Sequence, residues 1–358
     1  MTGGNLRADW SRPYRVAQWA TGNVGSRALR RVIEHPGMEL VGVWVHNPEK
    51  VGRDAGELAG VAPVGVRATS SIEEIVALKP DCVLYMPHVN RVEEVCRLLE
   101  TGINIVSTRM EYQNPAGLDP ADRAAIEKAC RRGNSSIHAT GSNPGFLSEA
   151  LPLVLTSISR RLDRLTFTEY ADTSPRNSPE MLFGPMMGFA APPGNLNEAM
   201  MEHMRSSFSP SLAVVADALG LSFDSIEVTS AQGVARKDTQ IAAGLVPAGT
   251  VAATRTTVSC LRGGKPLIDF EAIWYVSADV ETTDGEDWNI RDTGWRVRME
   301  GDTPLDVTVN FPVPKGQSAE VMPNYTAHRP VNCIPYVCAA TPGFVTTADL
   351  PQVISKLG

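Results

Sequence analysis

The sequence predicts an α/β protein of two domains, and two patterns carry this prediction. Between residues 14 and 143, short apolar segments alternate with helical patterns, which is typical of a parallel sheet joined by crossover helices. After residue 145, longer segments alternate apolar and polar residues, which indicates a second, α+β domain with a mixed, mostly antiparallel sheet. A length of 358 residues agrees with two domains, since one domain usually has ~100–200 residues.

The first domain contains a regular series of elements. The predicted strands are 15–19, 40–45, 81–86, 104–107 and 136–139, and the predicted helices are 24–34, 72–78, 92–100 and 121–131. In the first helix, Ala28, Leu29 and Val32 form one apolar face, and Pro36 and Gly37 end the helix. Each helix therefore has one side that can pack on a sheet.

The second domain begins with a helical pattern at 146–158 and continues with alternating strands. Phe270, Ala272, Trp274 and Val276 share one face of such a strand, so that face is expected to be buried. The apolar residues from His328 to Leu357 predict a helical tail. We place the domain boundaries at 1–145 and 146–325, and we expect residues 326–358 to return and pack on the first domain.

Composition and charge exclude several classes of protein. The chain has 33 Lys and Arg against 40 Asp and Glu, a net charge of −7, which gives no basic face for nucleic acid and disfavours an anionic membrane surface. No apolar run approaches the ~18 residues of a membrane span, and the first fifteen residues lack the apolar segment of a secretory signal, so we expect none. The six cysteines and six histidines lack the spacings of metal sites. We expect a cytoplasmic protein without a metal.

A short turn after the first strand carries the clearest functional signal. Gly22, Asn23, Val24 and Gly25 lead from this strand into the first helix, and Ala20 stands where a dinucleotide-binding loop usually has its first glycine. Gly22 lets the backbone approach a pyrophosphate, Gly25 allows close packing, and the helix N-terminus supplies N–H donors. We therefore predict that residues 1–145 form a dinucleotide-binding (Rossmann) domain.

The end of the second strand bears on which dinucleotide is bound. An acid that would bind the ribose is expected there, but the chain has His46 and Asn47. Lys50 and Arg53 follow, and they could meet the 2′-phosphate of NADP or could be ordinary surface charges. NADP is favoured, and NAD remains possible.

Further cofactor contacts are predicted where other segments reach the same edge of the sheet. Met86, Pro87 and His88 end the third predicted strand, and Asn143 lies at the hinge between the domains, where a plain turn role is equally compatible with the sequence.

Six motifs in order carry a resemblance that covers nearly the whole chain. They are WATGNVG at 19–25, NPEKVG at 47–52, DAGEL at 54–58, TGSNPGF at 140–146, MGF at 187–189 and VNCIP at 331–335. With them the chain resembles the dihydrodipicolinate-reductase-like oxidoreductases, and within these the 2,4-diaminopentanoate dehydrogenases and native amine dehydrogenases. The resemblance implies an N-terminal Rossmann domain, a mixed-sheet second domain and a homodimer, and we count Asn332 of the last motif among the cofactor-binding residues. The chain has no His-His pair of the kind that dihydrodipicolinate reductases carry, which argues against that reaction.

The resemblance also implies a catalytic glutamate, which corresponds to Glu111. This residue follows the strand 104–107 at the edge where ligands of open α/β sheets bind. A carboxyl group there could relay protons and stabilise an iminium ion; alternatively, it could pair within its loop, for example with Arg109. Tyr170 and His328 are weaker candidates for substrate binding.

We therefore expect an NAD(P)H-dependent amine dehydrogenase that converts a small ketone or aldehyde and ammonia reversibly to a primary amine. A 2,4-diaminopentanoate dehydrogenase, a carbonyl or imine reductase independent of ammonia, and a cofactor-binding regulator without activity remain alternatives. Dependence on ammonium separates the first two classes from the reductase, and any turnover excludes the regulator.

Overall fold

The computed structural model describes residues 8–184, 187–194 and 198–357. The chain forms two compact units. The first unit contains the residues up to Ala150 and those from Met322 onward, and the second contains Leu151–Val321.

The first unit alternates strands and helices. Its elements are β1 (Tyr14–Trp19), α1 (Asn23–Ile33), β2 (Met38–Trp44), α2 (Ala55–Ala59), β3 (Ala68–Thr69), α3 (Ile72–Ala77), β4 (Cys82–Tyr85), α4 (Val92–Glu100), β5 (Asn104–Ser107), α5 (Pro120–Gly133) and β6 (Ser136–Ala139). An irregular helical segment, Ser142–Ala150, follows β6.

The second unit contains longer strands. Its elements are α6 (Leu151–Thr156), β7 (Leu162–Asp172), α7 (Pro179–Leu182), α8 (Glu198–Ala218), β8 (Ser225–Ala235), β9 (Thr239–Ile241), β10 (Gly244–Val246), β11 (Val251–Arg262), β12 (Lys265–Tyr275), β13 (Val280–Thr282), β14 (Gly294–Gly301) and β15 (Leu305–Asn310). The chain continues with α9 (Ser318–Cys338) and β16 (Gly343–Val345). Most of α9 and all of β16 belong to the first unit, which resumes at Met322.

A parallel sheet organises the first unit. The strand order is β16-β6-β5-β4-β1-β2-β3, and every neighbouring pair runs parallel. The order 3-2-1-4-5-6 within it is that of a Rossmann fold, in which ligands bind beyond the carboxyl ends of the strands. The predicted parallel-sheet domain is therefore confirmed.

Both faces of this sheet are buried because helices cover each of them, and successive strand residues point to opposite faces. Val16 and Leu84 pack with Ala28 of α1 and Ile334 of α9. On the opposite face, Ala17 and Val83 pack with side chains of the helices α3, α4 and α5, among them Ile75, Leu98 and Ile126. The apolar face predicted for the first helix is thus the face that covers the sheet.

A mixed sheet organises the second unit, as predicted. Its order is β13-β8-β11-β12-β7-β14-β15; β12 and β7 run parallel, and the other neighbouring pairs run antiparallel. Phe270 of β12 stacks on Phe208 of α8 with 4.0 Å between ring centroids. This contact identifies the buried face as the one that the alternation predicts.

The other face of the mixed sheet is partly polar. Asp269, which is fully buried, pairs with Arg164 at 2.6 Å, and Glu271 pairs with Arg298 at 3.4 Å. Charged and hydroxyl side chains occupy part of the face opposite α8, and a buried cluster that includes Tyr170, Ile273 and Trp288 occupies another part.

The predicted helical tail is wrong in its bounds. The helix α9 starts at Ser318, ten residues before the predicted start, and ends at Cys338, and β16 then adds a parallel strand to the edge of the first sheet beside β6. Three prolines inside α9 conceal the helix in the sequence, because proline lacks the N–H that a helix interior uses. Tertiary packing of buried residues such as Val331 and Ile334 compensates.

Candidate cofactor and active site

The predicted glycine loop lies between β1 and α1, with Gly22 at the helix N-cap. A Cβ atom on Gly22 would have no protein atom within 4 Å, whereas one on Gly25 would lie 2.3 Å from the Ala20 carbonyl oxygen. The first glycine therefore leaves open space above the helix N-terminus, and the second allows the loop to pack against the helix. Both are the roles that a pyrophosphate-binding loop requires.

Ala20 explains the departure from the usual glycine pattern. Its φ angle is +71°, a left-handed conformation that glycine adopts most easily. The buried side chain of Gln18 supports this turn by donating from Nε2 to the Ala20 carbonyl oxygen at 2.9 Å. Sequence reasoning did not identify Gln18, because its partner is a backbone atom in a turn.

A cavity of about 660 Å³ lies over this loop. It is lined by the following predicted cofactor residues: Gly22, Asn23, Val24, Gly25, His46, Asn47, Lys50, Met86, Pro87 and His88. These residues come from the loops after β1, β2 and β4, which are adjacent strands of the parallel sheet. Open space over Gly22 and the amide groups of the helix N-terminus fit the phosphates of a dinucleotide.

The two cations predicted after β2 have different surroundings. Lys50 lines the cavity, and its Nζ donates to the carbonyl oxygen of Thr21 at 3.0 Å and to its Oγ1 at 3.1 Å. Arg53 is outside the cavity lining and pairs with Glu57 at 3.7 Å. The structure therefore brings Lys50, but not Arg53, to the glycine loop.

Sequence reasoning missed several residues of the cavity lining, among them Trp44, Arg91 and Glu94. The carboxylate of Glu94 lies 3.8 Å from the Arg91 guanidinium and accepts a long hydrogen bond of 3.5 Å from the Tyr85 hydroxyl. Burial raises the pKa of Glu94 above its usual range. No motif marks Glu94, because it sits in the first turn of α4, where an acid also has an ordinary helix-stabilising role.

Glu111 lies in a short turn of helix after β5 and is paired with Arg109. The guanidinium of Arg109 donates to Oε1 of Glu111 from Nε at 2.9 Å and from Nη2 at 2.6 Å. Arg109 also lines the cavity, and its Nη1 donates to the His88 carbonyl oxygen at 2.5 Å. The loop pairing considered from the sequence is present, and it connects Glu111 to a residue of the cavity wall.

Four other predicted site residues lie elsewhere. Asn143 and Asn332 belong to the first unit but are outside the cavity lining, and Asn332 accepts a hydrogen bond from Ser355 at 3.2 Å. His328 lies on α9, where partial burial and the nearby charge of Arg31 lower its pKa. Tyr170 is in the second unit, on the polar face of β7, beneath the guanidinium of Arg291. The roles assigned to these four residues stay predictions.

The described residues form neither a metal-binding cluster nor a membrane-spanning helix. In the described ranges, no group of three or more His, Cys, Asp or Glu side chains is arranged to hold a metal ion. None of the helices in this part of the chain combines the length and the apolar character needed to cross a membrane.

Comparison with known proteins connects these features to a family. Residues 19–137 match the family model for the N-terminus of dihydrodipicolinate reductase, and residues 194–357 match that for the C-terminal domain of 2,4-diaminopentanoate dehydrogenase. An amine dehydrogenase of Streptomyces virginiae is 30% identical over 95% of this chain and 97% of that protein. The chain belongs to the amine dehydrogenase family. The resemblance stated from its motifs is therefore confirmed.

Two further relatives agree with the assignment of this chain to the amine dehydrogenase family. A 2,4-diaminopentanoate dehydrogenase of Acetoanaerobium sticklandii is 23% identical over 94% of this chain and 93% of that protein. The solved structure of an amine dehydrogenase from Mycobacterium smegmatis matches with a TM-score of 0.70 and 20% identity, covering 97% of this chain and 98% of that one. At that identity the structural match establishes the fold alone. Membership of the family, together with the Rossmann unit, implies binding of a nicotinamide dinucleotide.

Proposed function

We propose that this protein is an NAD(P)H-dependent amine dehydrogenase that reversibly converts a small ketone or aldehyde and ammonia to a primary amine. The observation that carries the proposal is the 30% identity to an amine dehydrogenase along 95% of the chain, which includes both units. The cavity over the glycine loop and the carboxylate beside its wall support it.

The reaction requires proton transfers that one carboxylate can perform. Ammonium must lose a proton before nitrogen attacks the carbonyl carbon, and the resulting carbinolamine must gain a proton at its hydroxyl group to lose water. We assign both transfers to Glu111, whose anionic form also stabilises the positive iminium carbon. The bound cofactor supplies the hydride that reduces this carbon.

One carboxylate oxygen of Glu111 is available for these proton transfers. Arg109 contacts only Oε1, and among the described residues no hydrogen bond reaches Oε2. The side chain is 31% exposed, so it is partly removed from water and can still be reached by a small molecule. We therefore assign Oε2 as the atom that exchanges the proton.

We further propose that NADPH binds at least as tightly as NADH. No acid occupies the end of β2, where His46 and Asn47 line the cavity, and the Lys50 ammonium group reaches the glycine loop. A nearby cation stabilises the bound 2′-phosphate of NADPH, whereas the ribose hydroxyls of NADH need a hydrogen-bond acceptor. Arg53, which the sequence grouped with Lys50, pairs with Glu57 and serves as a control position.

A 2,4-diaminopentanoate dehydrogenase is the second candidate. The match of residues 194–357 to the C-terminal domain of that enzyme favours it. The two candidates differ in substrate, because the diamino acid carries a carboxylate and a second amine that a simple ketone lacks. The sequence offers no recognisable pair of arginines for the carboxylate, and we place the simple carbonyl first.

One assay tests the proposal and separates the candidates. Oxidation of NADPH and of NADH is followed with a panel of small ketones and aldehydes, with and without ammonium, and the reverse reaction is followed with primary amines and 2,4-diaminopentanoate. Ammonium-dependent oxidation with simple carbonyls is expected. Turnover that does not depend on ammonium would identify a carbonyl reductase. Exclusive oxidation of 2,4-diaminopentanoate would favour the second candidate.

We also propose that the protein is a homodimer, as the resemblance implies. The face of the second sheet opposite α8 carries the ion pairs Arg164–Asp269 and Arg298–Glu271, so a dimer joined through that face would have a largely polar interface. Sedimentation at micromolar concentration should give a mass of two chains, and a monomer would contradict the proposal.

A further inference from the structure

The loops after β4 and β5 are joined by hydrogen bonds at the edge where the cofactor cavity lies. The Ser107 hydroxyl donates to the Tyr85 carbonyl oxygen at 2.6 Å, and Arg109 Nη1 donates to the His88 carbonyl oxygen at 2.5 Å. The Tyr112 hydroxyl donates to Oδ1 of Asn90 at 2.5 Å. These bonds hold residues 107–112 against residues 85–90, so the segment that carries Glu111 has a defined position.

Arg109 is the residue that extends this frame to the carboxylate. Its backbone N–H donates to the Ser107 hydroxyl at 3.0 Å, and its guanidinium bonds both the His88 carbonyl and Glu111. We propose that Arg109 is a positioning residue for catalysis: its guanidinium orients the Glu111 carboxylate and leaves Oε2 directed to the substrate. The inference rests on the proposed function, because it supports the proton transfers assigned to Glu111.

The geometry favours orientation over simple charge pairing. Arginine is a rigid fork of donors, whereas an ammonium group is a point charge. Two of the three donating nitrogens of Arg109 bond the same oxygen, and the third is fixed by a backbone carbonyl. Both partners are partly buried, with exposed side-chain fractions of 27% and 31%. A catalytic carboxylate gains from such support, because a misplacement of about 1 Å can cost ~10²-fold in rate.

Arg109 has one competing role, which is direct contact with the cofactor, since it lines the cavity. The two roles predict different measurements. A positioning residue acts through Glu111, so its removal lowers kcat and changes cofactor affinity little. If Arg109 is a cofactor ligand, its removal raises the Kd for NADPH, and this increase persists when Glu111 is replaced.

A double-mutant cycle distinguishes them. We expect Arg109→Met to lower kcat for amination by ~10²-fold, with the KM for the carbonyl and the Kd for NADPH changed by less than ~2-fold. Arg109→Lys, which keeps the charge and loses the fork, should retain more activity than Arg109→Met. In a Glu111→Gln background, Arg109→Met should cost less than ~2-fold further.

The chain contains a matched control pair. Arg123 donates to Glu127 at 2.8 Å on the exposed surface of α5, and Arg123→Met should leave kcat unchanged. Near-normal kcat in Arg109→Met, a tenfold rise in its Kd for NADPH, or an equal penalty in the Glu111→Gln background would each overturn the inference. If the wild-type enzyme reduces carbonyls without ammonium, the proposed amination fails and the same cycle on that reduction tests Arg109. Absence of any turnover would overturn both the proposed function and the positioning role of Arg109.

Discussion

The two sheets of this protein place their polar side chains differently. In the parallel sheet, strands such as β4 are buried along their whole length, and the polar groups of the site lie in loops at the carboxyl ends of the strands. In the mixed sheet, one face packs on α8 and the other carries ion pairs within the strands themselves. Chemistry in the first unit can therefore change with little effect on the fold, whereas charges of the second sheet contribute to stability.

The largest expected effect concerns a loop residue of the first unit. Glu111→Gln keeps the volume of the side chain but removes the proton acceptor and the charge. Loss of general acid–base catalysis should lower ammonium-dependent turnover by ~10²–10⁴-fold, while the Kd for NADPH and the melting temperature stay near those of the wild type. Steady-state kinetics and cofactor titration on one preparation measure all three.

Glu127→Gln on α5 is the control for that substitution and should retain full activity, since Glu127 is outside the cavity lining and pairs with Arg123. A folded Glu111→Gln enzyme with more than about a tenth of the wild-type activity, against the ≥10²-fold loss expected, would assign the proton transfers to another group. It would also contradict the difference drawn above, in which catalytic side chains lie in loops of the first unit and stabilising ion pairs lie in strands of the second.

Acid should destabilise the first unit more than the second. Burial lowers the pKa of His138 in β6 and of His35 after α1, each to about 4. The unfolded chain, with a histidine pKa of ~6.5, binds these protons first, so stability is complete above that pH and falls as the pH drops towards 4. At pH 5 the loss is about 2 kcal/mol for each histidine.

Native-state amide hydrogen exchange at pH 7 and pH 5, corrected for the intrinsic rates, tests this difference. Protection should fall in β1, β4 and β6 of the first unit and change less in β11 and β12 of the second. His138→Gln should halve the pH dependence of the first unit. Equal losses in both units would show that other groups govern acid stability.

The next effect tests the polar face of the mixed sheet. Arg164→Met removes the partner of Asp269, whose side chain is fully buried and lies 2.6 Å from the guanidinium. An unpaired buried carboxylate is costly, and we expect unfolding free energy to fall by about 3 kcal/mol. Denaturant unfolding measures this loss.

The matched control is Arg161→Met, since Arg161 and Asp163 form an exposed pair at 3.1 Å. Its cost should stay below ~1 kcal/mol. Neither substitution should change the Kd for NADPH. Equal stabilities for the two variants would mean that ion pairs on this face do not hold the sheet.

The smallest of these effects concerns cofactor choice. Lys50→Ala removes the ammonium group at the glycine loop and should weaken NADPH about tenfold, or ~1.4 kcal/mol, and NADH less. Arg53→Ala, outside the cavity, should change neither affinity. Isothermal titration of both cofactors measures the ratio, and a wild-type preference for NADH would contradict the interpretation of this loop.

The sequence by itself determined the features that depend on residues close together in the chain. Gly22 and Gly25 identify the phosphate loop because their spacing reflects one turn between one strand and one helix. The alternation around Phe270 identifies the buried face of β12, since side chains of a strand alternate with a period of two. Both features need no knowledge of which strands are neighbours.

Only the tertiary structure decided what surrounds these features. Glu94 and Arg91 reach the cavity because β4 lies beside β1, and β16 joins the first sheet because β6 offers it a free edge. Arg109 binds a carbonyl group of a loop that is 21 residues away in the chain. Such contacts depend on the order of strands in the sheet, and no local pattern of residues encodes that order.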